Sequence, residues 1–194
     1  LSFTDNRQDA SLQAGHFNDF IQIGWLRSSL YKAAQSAGAE GLRHEDLTHK
    51  VFQSMDLEPH YYAVNPEVRF QAKEETDRAL RDVLGYWLYR DLRRGWRINF
   101  PNLEQCGLLK IAYSSLEEVC HAQDVWAARH PALAGASPET RCEVLHTLLD
   151  LMRRELCIKV DYLDATYQEK ILQTSSQRLI PPWALDEQET MEKS

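Results

Sequence analysis

Apolar residues recur at three- and four-residue steps over most of this chain, a spacing that predicts helices. From Gln8 to about Ala37, Leu12, Phe17, Phe20, Ile21, Trp25, Leu26 and Leu30 define a long amphipathic helix or two abutting ones. Gly15 and Gly24 are its weak points, and Ser36-Ala37-Gly38-Ala39-Glu40-Gly41 ends it with small residues and two glycines. A second helix is expected from Leu42 to Met55, with Leu47, Val51 and Phe52 on one face. After an aromatic-rich loop from Asp56 to Pro66, periodicity resumes from about Glu67 to Arg94 through Phe70, Leu80, Val83, Leu84, Trp87, Leu88 and Leu92.

Gly95 breaks that pattern. Trp96-Arg97-Ile98-Asn99-Phe100 alternates apolar and polar like a short strand, and Leu108 to Tyr113 reads as a second one. Between them, Pro101 opens a small helix that Gly107 closes. A helix followed by a hairpin has the look of a winged-helix-like subdomain, with Gly41 to Met55 supplying an earlier helix. Such a unit either touches a duplex backbone or serves only for protein packing. Glu104 and Gln105, where DNA contact calls for Lys or Arg, favour packing.

Ser115 with Glu118 has capping-box spacing for a helix to about His130, followed by a loop from Pro131 to Ala136. Ser137 as N-cap and Pro138 at the first helical position open a strong helix through Leu145, Leu148, Leu149 and Met152. Cys157 to Tyr162 fits either a strand or a continued helix. A last helix from about Ala165 to Thr174 precedes Pro181-Pro182-Trp183, and the tail after Leu185 is acidic and expected to fray. The expected fold class is mainly α, a helical domain with a few short strands.

At 194 residues the chain can bury a sizeable core, as one domain or two small ones. A net charge of −7 argues against a general nucleic-acid coat but leaves room for one local basic groove. Cys106, Cys120, Cys142 and Cys157 are widely separated, without the spacing of a zinc site or a disulfide framework, so buried free thiols are expected. No apolar run is long enough for a membrane span and no secretory leader opens the chain, which points to the cytoplasm.

The opening residues Leu1-Ser2-Phe3-Thr4 read as a strand remnant, followed by the polar turn Asp5-Asn6-Arg7-Gln8-Asp9 and a helix from near Ala10. A strand, turn and helix make half of a βαβ unit, and with no initiator Met the chain reads as a piece of something larger. The string Leu1 to Ala10 resembles motif IV of large bacterial superfamily 2 helicases of the DEAD/DEAH-box class. The likeness continues through Gln13 to Phe20, and more weakly through Pro101-Asn102-Leu103-Glu104-Gln105-Cys106-Gly107-Leu108-Leu109. The resemblance implies that residues 1–38 are the motif IV strand-turn and long helix of a second RecA-like domain, residues 39–185 a helical insertion, and residues 186–194 a flexible tail. It also implies that Thr4, Asn6 and Arg7 hold phosphates of a nucleic-acid backbone while Asp5 and Asp9 fix the turn. The alternative at the same residues is a capped strand-to-helix junction without a ligand.

Arg90-Asp91-Leu92-Arg93-Arg94-Gly95-Trp96-Arg97 is the densest basic stretch in an acidic chain. Arg93, Arg94 and Arg97 are candidates to fork onto phosphates, with Trp96 stacking on a base. The competing reading has these cations complementing a helix C-terminus and Trp96 in the core. The seven histidines include no His-Glu-x-x-His, so no metal site is expected, and no nucleophile sits in a catalytic signature.

The chain has no phosphate loop, no acidic box and no arginine-finger motif, and ATP hydrolysis needs those together. This chain alone is therefore expected to be inert toward ATP. ATP and Mg²⁺ belong to the parent that the resemblance implies, whose partners are nucleic acid, most readily DNA, and the rest of the helicase core. The alternative from another class is a stand-alone helical protein-interaction module.

Overall fold

The computed structural model describes residues 7–93, 101–186 and Met191, with side chains from Phe20 onward. Eight α-helices run along them: α1 (Arg7–Ala37), α2 (His44–Met55), α3 (Phe70–Leu92), α4 (Leu116–His121), α5 (Gln123–Ala127), α6 (Pro131–Ala134), α7 (Pro138–Arg154) and α8 (Ala165–Arg178). The fold is mainly α. Among the described residues, β pairing is limited to one isolated antiparallel bridge, Ala63 with Leu179.

α1 is one helix that passes straight through Gly24. A lone glycine inside a helix costs about 1 kcal/mol. Burial of Ile23, Leu26, Leu30 and Ala33 on the inner face outweighs that several-fold. Past Ala37 the chain reverses through Gly38 and Gly41, with φ of +62° and +71°, where a side chain would be strained. α2 then packs antiparallel to α1 through Val51 and Met55.

α3 begins at Phe70, later than the periodicity predicts, because the Asn65 side chain accepts the Glu67 N–H and holds residues 65–67 in a local turn. Val83 to Tyr89 is buried all round, so α3 is the central helix, enclosed by α1, α2, α8 and the chain after α8. Trp183 packs against Trp87 and Trp25 at ring-centroid distances of 5.7 and 6.5 Å, and its indole N–H donates to Tyr61 O. Met191 is buried in this same core, which takes residues from both sides of Gly38.

The remainder is a smaller group, α4 to α7, and here several expectations fail. Leu108 to Tyr113 is not a strand: Leu103 O accepts both the Leu108 and Leu109 N–H, folding the segment back on itself. Leu109, like Leu103 ahead of the segment, packs against the main core, while Leu108 is exposed. The stretch from Pro101 to Gly107 is a run of turns rather than a helix. Among the described residues no hairpin follows it. The expected strand at Trp96 to Phe100 lies outside the described residues.

Ser115 does not cap with its side chain, since its φ of +60° puts it in the left-handed region. The helix expected from Ser115 to His130 is two short ones, α4 and α5, kinked at Ala122. Side chains from elsewhere explain the break. Trp126 Nε1 donates to Val119 O and Arg141 Nη1 to Cys120 O, so both carbonyls are satisfied without a continuing helix. The expected loop from Pro131 contains the single turn α6, whose first N–H groups include Ala132 N–H bound to His130 Nδ1.

α7 starts as predicted, with Ser137 Oγ accepting the Thr140 N–H and Pro138 at the first position. Cys157 to Val160 is neither strand nor helix, and a short 3-10 turn, Asp161–Leu163, follows. α8 is capped by Asp164, which accepts the Tyr167 N–H, and runs a turn beyond Thr174 to Arg178.

Candidate nucleic-acid interface

The basic stretch begins on the last turn of α3, and one buried acid controls its position. Asp91 is only 4% exposed. A buried carboxylate needs a cation and further donors. Arg27 of α1 supplies them as a fork, Nη2 to Oδ1 at 2.6 Å and Nε to Oδ2 at 3.2 Å. The other arm of the fork, Nη1, donates to Pro101 O at 2.8 Å. Asn102, itself buried, donates from Nδ2 to Asp91 O at 2.8 Å.

The two ends of the segment between Asp91 and Asn102 are thereby held together against α1. Arg93 is exposed at the start of this excursion, and Arg90 is half-buried one turn earlier. Arg94 and Arg97, with Trp96, lie outside the described residues. So do Thr4 and Asn6 with the strand remnant Leu1 to Thr4 and Asp5. Arg7 is the first residue of α1, its side chain outside the described set. The structure therefore brings Arg90 and Arg93 to one helix end and gives no geometry for the Thr4–Asn6–Arg7 turn.

The Pro101 to Leu109 stretch is held by its own polar groups. Asn102 N–H donates to Gln105 Oε1 and Gln105 N–H to Asn102 Oδ1, each at 2.9 Å. Glu104 receives both arms of Arg153, at 2.8 and 2.9 Å. Arg153, buried near the end of α7, also donates to Asp150 at 3.0 Å, and Tyr113 donates to the same Asp150 oxygen at 2.7 Å. Burial opposes ionisation of Asp150, but the Tyr113 and Arg153 hydrogen bonds outweigh it and hold its carboxyl below the usual aspartate range. Half-buried Glu104 thus fastens this stretch to α7, and exposed Gln105 fastens it to itself.

Two further constellations were not visible in the spacing. Asp82 of α3 is buried among Tyr162, Tyr167 and Tyr89, with Tyr167 Oη donating to it at 2.9 Å. Burial pushes its carboxyl up, and the Tyr167 hydrogen bond offsets only part of that rise. Arg141 of α7 is 1% exposed and sits against the Trp126 ring among the carbonyls of α4 and α6. A lone Arg in a polar-looking helix face gives no signal of burial in sequence.

The cysteines divide: Cys106 and Cys157 are exposed, against expectation, Cys142 is half-buried and Cys120 fully buried. Cys106 lies on the outer side of its turn, where Gln105 to Leu108 are all exposed, while Cys157 follows the end of α7 where Leu156 takes the inward position. Among the described residues no group of three or more His, Cys, Asp or Glu could hold a metal ion. Nor is any helix among them long and apolar enough to cross a membrane. No protein-family model, no curated protein and no solved structure matches this chain.

Proposed function

We propose that this chain is the motif IV helix and helical insertion of a superfamily 2 DEAD/DEAH-box helicase, contributing nucleic-acid contacts to an ATP-driven enzyme acting on DNA. One observation carries the reading. The two stretches that resemble those helicases, the helix after Leu1 to Ala10 and the segment Pro101 to Leu109, are tied together by the Arg27–Asp91–Asn102 network. In sequence the arginine-rich stretch lies between the two residues that network anchors, and on this reading Arg93, Arg94 and Arg97 contact a phosphate backbone, as do Thr4, Asn6 and Arg7. This chain carries no phosphate loop, acidic box or arginine-finger motif, so on this reading ATP and Mg²⁺ are held by other parts of the parent.

The test has two parts. The complete product of the encoding gene should hydrolyse ATP and do so faster with DNA; absence of DNA-stimulated hydrolysis refutes the helicase reading. In that protein, Arg93→Gln, Arg94→Gln and Arg97→Gln together should weaken DNA binding across all sequences and lower its salt slope by roughly one counterion for each phosphate no longer neutralised. Unchanged affinity and slope assign the arginines to the helix end instead. The isolated chain, at a net charge of −7, should bind DNA weakly at physiological salt, as fluorescence anisotropy would report.

A protein-interaction role is the second reading. It is favoured by large apolar side chains left exposed on α1 (Phe20, Ile21, Trp25) and on α7 (Val144, Leu148, Leu151).

A further inference from the structure

α7 sits in the fold with its polarity inverted. Its buried residues are two arginines, Arg141 and Arg153, each held by hydrogen bonds. Its large apolar side chains are exposed instead: Val144, Leu148, Leu151 and Met152 at 45, 47, 57 and 40%. Val144, Leu148 and Leu151 follow one another at steps of four and three residues, the spacing of a coiled-coil seam, with Met152 beside them. Packing of α4 on α7 leaves this stripe uncovered.

The arrangement of the stripe and its charges selects a second copy of this chain as the occupant. The apolar positions are nearly symmetric about Leu148. A two-fold axis there sets Leu148 on its own counterpart and Val144 against the Leu151–Met152 end of the other helix, apolar on apolar. Charge fixes the direction. Exposed Glu143 and Arg154 lie roughly three turns apart along the same edge of the stripe. An antiparallel copy lays Glu143 of each chain beside Arg154 of the other, whereas a parallel copy opposes like charges. Arg154 can reach across, since its contacts to Asp150 and Glu104 are long, 3.5 and 3.9 Å, and its side chain is 45% exposed. Antiparallel helices also oppose their macrodipoles, which adds to the preference.

We infer that α7 is a self-association helix, through which two copies of the chain pair antiparallel by their Val144–Leu148–Leu151 stripes. The inference rests on the protein-interaction reading for the α7 face alone and does not need α1. An interface built on so short a stripe falls below about 1,200 Å² in total, the class of weak and reversible contacts, so monomer and dimer should exchange.

Sedimentation velocity of the full chain should show a mean mass that climbs from monomer toward dimer between about 1 μM and about 1 mM, as a weak interface requires. Leu148→Glu, at an exposed position, places like charges on the axis and should weaken association by about tenfold or more with the helical circular dichroism unchanged. Glu143→Arg and Arg154→Glu should each weaken it, because each variant then carries one sign at both edge positions. Mixed in equal amounts, those two variants should form a heterodimer, and both substitutions in one chain should restore the homodimer. Should Arg154→Glu disturb the fold through Asp150 and Glu104, Leu148→Glu and Glu143→Arg still decide. A chain that stays monomeric over the whole range would overturn the inference and leave the interaction reading standing on α1. Dimers that survive Leu148→Glu but are lost with Trp25→Glu would also overturn it, by moving the contact to α1.

Discussion

Gly85 and Gly24 lie inside helices, yet the same change to alanine should move stability in opposite directions. Alanine is better than glycine in a helix by about 1 kcal/mol, because it restricts the unfolded chain more. At Gly24, in α1, a Cβ meets nothing within 4 Å, so Gly24→Ala should keep that gain. At Gly85, on the buried face of α3, an added Cβ would lie 2.8 Å from Tyr162 Cδ1 and closer still to Cε1 and Cζ. Carbon atoms pack best at about 3.5–4.0 Å, so the ring must withdraw by about 1 Å or more.

The ring has nowhere easy to go. It stacks on Tyr89 at 5.7 Å and meets Tyr167 edge-on at 5.8 Å. Overpacking of this kind costs about 1–3 kcal/mol, and each aromatic pair loosened costs roughly 0.5–1.5 kcal/mol more. Set against the helix gain, Gly85→Ala should lose about 2 kcal/mol. In a chain of this size that lowers Tm by about 4–8 °C, whereas Gly24→Ala should raise it by about 2–4 °C. Thermal unfolding followed by the helical circular dichroism signal reads both. In a Tyr162→Ala background, Gly85→Ala should become neutral or stabilising, a coupling of about 2–3 kcal/mol. Equal or greater stability of Gly85→Ala in the native background would refute the close-packing argument.

Three more outcomes follow from the smaller helical group. Arg153→Met leaves Glu104 and Asp150 with the exposed Arg154 in place of their buried cation, and urea titration should show a loss of about 3 kcal/mol, the scale of breaking a buried pair. Ser137→Ala removes the side-chain cap of α7 and should cost about 1 kcal/mol by the same titration, with an unchanged effect expected of Ser137→Asp. Asp150 has a folded pKa below its unfolded value, so its contribution is fully present above about pH 3.9 and is lost as pH falls through the lowered folded value. Asp150→Asn should therefore be less stable than the parent at neutral pH and converge with it in strong acid; a gap that does not close on acidification would count against the ionised role.

The helices with strong periodicity were legible in the residues: α2, α3, α7 and α8 begin or end within a few positions of expectation, and the Ser137-Pro138 start holds in detail. Local rules suffice there, because caps and apolar spacing act over a turn or two. What was not legible depends on partners distant in sequence. Ser115 and Glu118 have the spacing of a capping box, yet Arg141 and Trp126 take the α4 carbonyls and break the helix. Leu108 to Tyr113 has the composition of a strand, yet no second strand reaches it among the described residues, and Leu109 packs against the main core while Leu108 stays exposed. The candidate interface divides in the same way. The arginine stretch was visible as composition, but its lock, Arg27 on Asp91, spans 64 positions.

Arginine explains why these errors fall together. Arg27, Arg141 and Arg153 each carry a planar fork of donors on a long apolar stem, so each can cross a core and satisfy groups on two elements at once. Arg27 ends on a carboxylate and a carbonyl, Arg153 on two carboxylates and a phenol, and Arg141 on uncharged oxygens. The first two offset the desolvation of the cation with negative charge, and so behave as structural locks. Arg141 has only dipoles and the Trp126 ring to do so, which leaves its charge felt by whatever lies beside it. Beside it is Cys120, whose thiol burial still pushes up despite that charge. The same side chain that broke the predicted helix therefore ties α4, α5 and α6 to α7.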